Sequence, residues 1–226
     1  MCGIAGFVQY ASKVSPESLG TLATLKDMGD KIIHRGPDAH GEYLEGPVGL
    51  CHRRLSIIDL SEAGTQPMHS NNQRFSMVFN GEIYNFLELR AEAEANGYQF
   101  RTKTDSEVIL ALYEQEGEAC VKKLNGMFAF VIYDRIEKKS FLVRDRYGIK
   151  PLYYTFKNNK FLFASEIKAL LTHPEVSADV DKKALLEYFT FQNIFTDKTL
   201  FEKVKLFPAG HIASLNLNNP FDGLKL

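Results

Sequence analysis

The chain has 226 residues, 45% of them hydrophobic and 24% charged, with a formal net charge of −1. This length and composition are typical of a globular protein with one large domain or two small ones. The near balance of charge argues against nucleic acid or an anionic membrane surface as the main partner, and no apolar stretch approaches the length of a membrane span.

The chain begins Met-Cys-Gly, and the short apolar run to Tyr10 predicts a buried strand. This beginning lacks the basic region and the long apolar core of a secretory signal peptide. The three cysteines, Cys2, Cys51 and Cys120, are widely spaced, which favours free thiols in a reducing compartment and predicts a cytoplasmic protein. The six histidines do not cluster and no CxxC or HExxH motif occurs, so we expect no metal site.

Apolar periodicity and turn residues predict short strands and helices along the whole chain. Because short turns join neighbouring strands, the sheets should be mostly antiparallel and the fold class α+β. After the first strand we expect, in chain order, a helix over 16–33, a loop over 34–41, a hairpin over 42–59 with its turn at 45–47, an irregular segment over 61–72, a second hairpin over 74–86, helices over 86–96 and 102–117, strands over 126–134, 139–145, 151–156 and 160–166, helices over 167–171 and 182–191, and a strand over 211–217.

Cys2 is the first candidate for chemistry. Removal of Met1 would leave a residue with both a thiol and a free α-amine, whose pKa of roughly 7.7–8.0 allows a neutral fraction near neutral pH. The amine would take up the thiol proton and return it to a leaving group, while Gly3 would let a substrate approach the chain end. The alternative interpretation is a small buried residue that begins a strand.

The pair Asn80-Gly81 separates two alternating apolar runs and has two interpretations. Asn-Gly at such a position predicts a type I′ hairpin turn. Its side-chain and backbone N–H groups are also suited to stabilise an oxyanion, and one such donor contributes about 2.7–4 kcal/mol. The sequence alone does not separate the two interpretations, since a rigid turn would serve both.

Adjacent arginines, Arg53 and Arg54, lie in an otherwise apolar strand. Because successive side chains of a strand point to opposite faces, both cannot face water if one face is buried, and one should line a site. A guanidinium can bind a carboxylate in a bidentate pair, and two acidic side chains, Glu82 and Asp105, can bind an ammonium. Together they suit a free α-amino acid, although capping a helix is the plainer role of Asp105.

Eight motifs follow one another along the chain: MCGIAGF, HRGPDAHGEY, HRRLSIIDL, FNGEIYNFLELR, TDSEVIL, GMFAFVIYD, RDRYGIKPLYY and FASEIKAL. In this order they resemble the N-terminal glutaminase domain of glutamine-hydrolysing asparagine synthetases, a class II glutamine amidotransferase domain with the Ntn-hydrolase fold. The resemblance covers residues 2 to about 211 and implies a four-layer αββα sandwich of two mostly antiparallel sheets. RGPD and RLSIID match the asparagine synthetase branch and argue against the amidophosphoribosyltransferase and glucosamine-phosphate synthase branches.

The resemblance implies a reaction and a role for each candidate residue. Glutamine would be hydrolysed to glutamate and ammonia through a cysteine thioester, and the ammonia would pass to a synthetase that makes asparagine from aspartate. Cys2 would be the nucleophile and Asn80 with Gly81 the oxyanion hole. The glutamine-binding positions would be Arg54 for the carboxylate, Ile57 and Ile58 through their backbone, and Glu82 and Asp105 for the ammonium.

The resemblance also implies a division of the chain and a set of partners. Residues 1–211 would form the glutamine amidotransferase domain, and residues 212–226 a strand and tail leading toward a synthetase domain, whose Ser-Gly-Gly-x-Asp-Ser signature does not occur here. The glutaminase half-reaction should need no cofactor or metal, with ATP and magnesium used only by the synthetase. The expected partners are L-glutamine and an ATP-dependent synthetase domain or subunit; a homodimer is compatible with the sequence. RDRYGIKPLYY and SEIKAL are expected away from the glutamine motifs, as scaffolding or as a surface for the synthetase.

Other functions stay open at this point. Without a synthetase, the chain could be a non-catalytic module that binds glutamine or docks a partner. It could also supply ammonia to a different acceptor, such as a surface-polysaccharide intermediate. A self-cleaving Ntn hydrolase is disfavoured because no long propeptide precedes Cys2.

Overall fold

Two antiparallel sheets form the centre of the fold, which a computed structural model describes for residues 1–10 and 21–218. The strands are β1 (Gly3–Gln9), β2 (Ala39–Glu45), β3 (Val48–Arg54), β4 (Met68–His69), β5 (Phe75–Ile83), β6 (Gly126–Asp134), β7 (Lys139–Arg144), β8 (Tyr153–Lys157), β9 (Lys160–Ala164), β10 (Lys205–Leu206) and β11 (Ile212–Asn216). The α-helices are α1 (Leu22–Asp30), α2 (Phe86–Ala95), α3 (Asp105–Glu116), α4 (Ile167–Leu170) and α5 (Lys182–Phe191). One sheet has the order β10-β8-β9-β1-β3-β2 and the other β11-β7-β6-β5-β4.

Alternation along the strands divides the core into layers. In β1, Ile4 and Val8 pack between the two sheets, whereas Ala5 and Phe7 contact α1 and α4 on the outer side. A third apolar cluster joins the outer face of the five-stranded sheet to α2 and α3. The resulting order of layers is helix, sheet, sheet, helix, so the predicted α+β sandwich is confirmed. Within the described ranges, no helix is long and apolar enough to cross a membrane.

The structure shows that the predicted hairpin turn at Asn80-Gly81 is wrong. Both residues lie inside the nine-residue strand β5, opposite Ala129 and Phe128 of β6. A Cβ atom at Gly81 would lie 2.4 Å from the carbonyl oxygen of Met127 and 2.7 Å from the Cα of Phe128. Glycine is therefore needed here because a neighbouring strand approaches closely, and the chain does not turn.

Most other elements agree with the sequence pattern. The hairpin turn at residues 45–47 joins β2 to β3, and Gly46 has the positive φ of 53° that favours glycine. In the predicted helix over 16–33, the described part is helical from Leu22 to Asp30, and residues 16–20 lie outside the described residues. The strand β4 lies in a segment expected to be irregular, and β10 was not predicted.

The last described strand joins the five-stranded sheet. Residues of β11 pair with β7 in antiparallel register, from Ile212 opposite Val143 to Asn216 opposite Lys139. The division of the chain at residue 211 stays a prediction, and residues 219–226 of the predicted tail lie outside the described residues.

Candidate active site

A cavity of about 150 Å³ is lined by residues from the start of β1, from the end of β3 and, across the sandwich, from the second half of β5 in the other sheet. The register that pairs Gly3 with Arg53 continues to place Cys2 level with Arg54. By alternation these two side chains share the face between the sheets with Asn80. All eight residues to which the resemblance assigns a role line this cavity: Cys2, Arg54, Ile57, Ile58, Asn80, Gly81, Glu82 and Asp105.

The thiol of Cys2 contacts the backbone of Leu55, which follows β3. The Leu55 N–H donates to Sγ at 3.4 Å, and the Leu55 carbonyl oxygen lies 3.7 Å from the same sulfur. Burial raises the pKa of the Cys2 thiol, while the Leu55 hydrogen bond, the N-terminal amine and Arg54 oppose that increase. Because a thiol is a weak nucleophile, this group needs a base to take its proton.

Arg35, which the sequence analysis did not single out, holds the chain end. Its Nε donates to the carbonyl oxygen of Cys2 at 2.9 Å, and its Nη1 donates to Glu166 at 3.0 Å. Burial opposes ionisation of Glu166, but hydrogen bonds from Arg35, His34 and Lys168 lower its pKa to about 2. The arginine is thus anchored by a carboxylate that stays charged, and it fixes the position of the Cys2 backbone.

The role expected for Gly3 changes in this setting. A Cβ atom on Gly3 would lie 2.9 Å from Cδ1 of Ile32 and 3.3 Å from Cδ of Arg35. The space beside Gly3 is therefore filled by these two side chains and does not admit substrate. The glycine instead lets Arg35 pack close enough to bond the neighbouring carbonyl.

The side chain of Asn80 is buried, with 1% of its surface exposed, yet its Oδ1 and Nδ2 atoms have no partner among the described residues. The backbone of the preceding residue, Phe79, is held by Gln66, which lies just before β4, and by His52 of β3. The Phe79 N–H donates to Gln66 Oε1 at 2.6 Å, and His52 Nε2 lies 3.1 Å from the Phe79 carbonyl oxygen. Burial lowers the pKa of His52 to about 3, so the imidazole is neutral and we assign its proton to Nε2. A fixed backbone thus presents an unsatisfied amide to the cavity.

Arg54 reaches the cavity through the loop that follows β3. Its Nη1 donates to the carbonyl oxygen of Ser61 at 2.6 Å, and its Nη2 donates to that of Asp59. A Cβ atom on Gly64 would lie 2.3 Å from Nη2, so a larger residue there would displace the guanidinium from this position. These contacts fix the plane of the guanidinium against the cavity.

The neighbouring arginine points the other way, as alternation predicts. Arg53 donates from Nε to the carbonyl oxygen of Gly29 at 3.1 Å and forms an ion pair with Asp30 at the end of α1. Both arginines are buried, but only Arg54 lines the cavity. Of the two arginines, Arg54 is therefore the one that lies beside Cys2 and Asn80.

The opposite wall of the cavity is acidic. Asp105 is the first residue of α3, and its Oδ2 accepts a hydrogen bond from the Ile83 N–H at 2.9 Å. Burial raises the pKa of Asp105 to about 6, the charge of Glu82 adds to this effect, and backbone hydrogen bonds oppose it. Within the described part of the chain neither carboxylate forms an ion pair. This wall is suited to a ligand that brings its own positive charge.

Two exposed isoleucines form part of the rim of the cavity. Ile57 and Ile58 lie in the loop after β3, with 68% and 40% of their surfaces exposed. Their side chains do not bury on folding, so their place at the site depends on the backbone of the loop. This arrangement is compatible with the predicted backbone role, which stays a prediction.

Lys150 also lines the cavity, although RDRYGIKPLYY was expected away from the glutamine motifs. That expectation is wrong for this residue. Arg35 ends a short 3₁₀ helix (Ile33–Arg35) and Lys150 lies in a loop, so no periodicity indicates the direction of either side chain. The motifs HRGPDAHGEY and RDRYGIKPLYY that contain them were the only signal available. Among residues 1–10 and 21–218, no group of three His, Cys, Asp or Glu side chains is placed to hold a metal ion.

Comparison with known proteins points to one family. A family model described as a glutamine amidotransferase domain matches residues 1–220. Asparagine synthetase 1 (glutamine-hydrolysing) of Bacillus subtilis is 43% identical over 208 residues, which are 91% of this chain and 32% of that protein. Asparagine synthetase 3 of the same organism is 38% identical over the whole chain and 36% of its own length. The chain thus spans about a third of these relatives.

Two further comparisons widen this set. A protein called amidase chry2 from Gibberella zeae is 40% identical over 178 residues, which are 76% of this chain and 26% of its own length. Among solved structures, the glutamine phosphoribosylpyrophosphate amidotransferase of Bacillus subtilis aligns with a TM-score of 0.63 and 20% identity, covering 80% of this chain and 45% of that one. At this identity the structural match supports the fold alone.

Proposed function

The chain belongs to the family of glutamine amidotransferase domains, and from this membership we propose that it hydrolyses glutamine to glutamate and ammonia. One observation carries the proposal: a single cavity holds the Cys2 thiol, a guanidinium, a buried amide without a partner among the described residues, and two carboxylates that form no ion pair with those residues. A free α-amino acid with a side-chain amide is complementary to each of these groups. The proposed roles are those that the sequence resemblance implied.

Recognition of glutamine would use the two charged walls. Arg54 would bind the α-carboxylate, since its guanidinium is held at the cavity by two backbone carbonyls. Glu82 and Asp105 would bind the α-ammonium, which would stabilise the ionised form of Asp105. Fixing both ends of the amino acid would direct its side-chain amide toward Cys2 and Asn80.

The proposed reaction begins after removal of Met1, when Cys2 carries the α-amine. The amine accepts the thiol proton as Sγ attacks the amide carbon, forming a C–S bond and a tetrahedral oxyanion. Asn80 Nδ2 and the Gly81 N–H would stabilise that oxyanion. Collapse breaks the C–N bond, the α-amine returns the proton to nitrogen, and ammonia leaves. Water then attacks the γ-glutamyl thioester, releasing glutamate and restoring the thiol.

The acceptor of the ammonia is a second part of the proposal. Relatives at 38–43% identity are glutamine-hydrolysing asparagine synthetases, so we propose that the ammonia serves asparagine synthesis in an ATP-dependent synthetase domain or subunit. The half-reaction derived above uses only protein groups and water, and requires no ATP or metal. The free thiols of all three cysteines support a cytoplasmic location.

A different acceptor is the second candidate function. A relative at 40% identity is called an amidase and not an asparagine synthetase, which favours the interpretation that this domain type occurs in proteins of more than one activity. The glutaminase site would be the same in either case. Isotope-labelled amide nitrogen from glutamine, traced in cells into asparagine or into another product, would separate the two.

Glutamate release by the purified chain tests the glutaminase proposal. Intact mass first establishes that Met1 is absent, and the rate is then compared with that of Cys2→Ala. We expect turnover in the first protein and none in the second, with equal melting temperatures. Equal background rates in both proteins would contradict the proposal and favour a glutamine-binding or docking module.

A further inference from the structure

Lys150 is a buried cation that the reaction above does not use. Its side chain lines the cavity with Cys2 and Asn80, and only 5% of its surface is exposed. Its backbone is fixed on both sides: the N–H donates to Asp145 Oδ2 at 2.9 Å, and the carbonyl oxygen accepts from Arg144 Nε at 2.8 Å. The lysine therefore cannot leave the cavity by a shift of a loose loop.

The ammonium group of Lys150 has an unusual partner. Its Nζ lies 3.4 Å from the sulfur of Met1, and the described residues give it no other hydrogen bond and no ion pair. Charged lysines are almost never buried without a carboxylate. A thioether is a weak acceptor, and this one belongs to the residue that must be removed before Cys2 can act. In the mature chain the lysine would face the space beside the new N-terminus.

We propose that Lys150 is a positioning residue of the glutaminase reaction, whose ammonium keeps the α-amine of Cys2 in the neutral form that accepts the thiol proton. Two cations placed together in a poorly hydrated cavity repel, so one of them gives up its proton. An ordinary α-amine has a pKa of roughly 7.7–8.0 and lysine about 10.4, so the α-amine is the group that deprotonates. The same cation would stabilise the thiolate. This inference rests on the proposed function.

Other charged side chains near the chain end also influence the protonation of the α-amine and of Lys150. Arg35 bonds the Cys2 carbonyl from the segment after α1, and Arg54 approaches from β3. Glu82 of β5 and Asp105 of α3 lie on the acidic wall, and Asp145 follows β7. Burial and then Arg35 lower the pKa of Lys150, while Cys2, Glu82 and Asp145 raise it. Arg35 bonds the carbonyl oxygen of Cys2 and Arg54 those of Ser61 and Asp59, whereas among the described residues the ammonium of Lys150 bonds only the sulfur of Met1.

The pH profile of glutamate release tests the role of Lys150. The proteins compared are the full-length wild type, Lys150→Met, Lys150→Gln and Lys150→Arg, each with removal of Met1 established by intact mass. Lys183→Met, at an exposed position of α5, controls for the loss of one positive charge. Methionine keeps the length of the side chain, and both neutral variants should fold because an unpaired buried charge is lost.

We expect the acid limb of kcat/KM to move to higher pH in both neutral variants, toward the value of an ordinary α-amine. Activity should fall about tenfold at about pH 6.5 and less than about twofold at about pH 9, since the α-amine is deprotonated in every variant at high pH. Lys150→Arg should restore most of the wild-type profile, and Lys183→Met should leave it unchanged. A residue that only packs would lower activity equally at every pH.

The outcomes separate this inference from the function on which it rests. An active wild type whose neutral variants keep the same profile would overturn the role of Lys150 alone. A wild type that releases no glutamate would overturn the glutaminase proposal, and the role of Lys150 in that reaction with it. A profile that shifts in Lys183→Met as much as in Lys150→Met would also count against Lys150, because any lost positive charge would then suffice.

Discussion

Two buried polar clusters lie near the start of α3, and they differ in whether the protein supplies hydrogen-bond partners for their polar groups. In the first, Glu107 is fully buried and accepts hydrogen bonds from the Arg101 N–H at 2.9 Å, the Thr102 N–H at 2.7 Å and the Thr102 hydroxyl at 2.7 Å. In the second, around the cavity, both amide atoms of Asn80 have no partner within residues 1–10 and 21–218, and there the ammonium of Lys150 has only the sulfur of Met1. One cluster is satisfied by the protein and the other is not.

The difference separates stability from function. Hydrogen-bonded carboxylates of the first kind stabilise the fold, since removing one partner leaves a buried group unsatisfied. Groups of the second kind cost stability in the free protein, because burial without a partner is unfavourable. A ligand that satisfies them recovers that cost on binding. Substitutions in the two clusters should therefore have opposite signatures, one in unfolding and one in turnover.

Asn80→Ala should give the largest effect and change turnover without loss of stability. Removing one oxyanion donor typically lowers kcat by about 10²–10³-fold, which corresponds to about 2.7–4 kcal/mol. KM for glutamine should change little, because Asn80 would contact the substrate most strongly in the transition state. The melting temperature should stay equal or rise, since the amide has no partner to lose. A large loss of stability with unchanged kcat would show that Asn80 serves the fold, as Glu107 does, and would contradict its proposed role in turnover.

Glu107→Gln should show the reverse signature. The amide keeps an acceptor oxygen but loses the charge that two backbone N–H groups and a hydroxyl stabilise, so unfolding should become easier by about 1.5–3 kcal/mol. Turnover of the folded fraction should stay near that of the wild type. Chemical denaturation and glutamate release, measured on the same preparation, check both statements. If Glu107→Gln lost turnover but kept its stability, the distinction between the Glu107 cluster and the cavity would be wrong.

The pH dependence of KM for glutamine should follow the ionisation of Asp105 on the acidic wall of the cavity. With a pKa of about 6, Asp105 is ionised at neutral pH and becomes protonated as the pH falls through that value. Since the ionised form would bind the substrate ammonium, KM should rise by about tenfold for each pH unit below the pKa. Asp105→Asn should have a high KM that no longer varies over this range.

Ionisation of Asp105 favours substrate binding but lowers the stability of the ligand-free fold. The pKa of Asp105 is raised on folding, so its burial as a carboxylate is unfavourable above that pKa. This cost is relieved as the pH falls through about 6 toward the ordinary value. Denaturation of the ligand-free protein across that range should therefore show a stabilising contribution at the lower pH that Asp105→Asn lacks.

Arg101→Ala should have the smallest effect. Its side chain is about half exposed and its Nε lies 3.7 Å from Glu107, so this ion pair should contribute less than about 1 kcal/mol. The backbone N–H of residue 101 remains as a donor after the substitution. A loss of unfolding free energy as large as that of Glu107→Gln would show that the arginine charge, and not the backbone donors, stabilises the buried carboxylate.

Helix ends and helical periodicity were predicted well, because both depend on residues close together in the sequence. The cap at Thr104 is observed, with its hydroxyl accepting from the Glu107 N–H at 3.3 Å, and α5 spans Lys182–Phe191 as its periodicity predicts. A full capping box would require the Glu107 carboxylate to accept a hydrogen bond from the Thr104 N–H. It instead accepts hydrogen bonds from the N–H groups of Arg101 and Thr102. The partner of a side chain is thus less predictable than the helix end that it marks.

The errors arose where a distant segment decides the structure. Asn80-Gly81 has the composition of a hairpin turn, but the approach of β6, more than forty residues later, makes glycine necessary inside a strand. Likewise, nothing near Lys150 in the sequence indicates that its amino group meets Met1. The residues of the candidate site nonetheless line one cavity, because the motif order carries information about long-range contacts that local periodicity lacks.

The central claim is that Cys2 forms a covalent bond to the substrate carbon, and trapping the intermediate tests it most directly. The Met1-free protein is mixed with glutamine, quenched in acid during turnover, digested and analysed by mass spectrometry. We predict a γ-glutamyl thioester on the N-terminal peptide and none on the peptides of Cys51 and Cys120, whose thiols are buried in the core. Steady glutamate release with no adduct on Cys2, or an adduct on either of the other cysteines, would contradict the account.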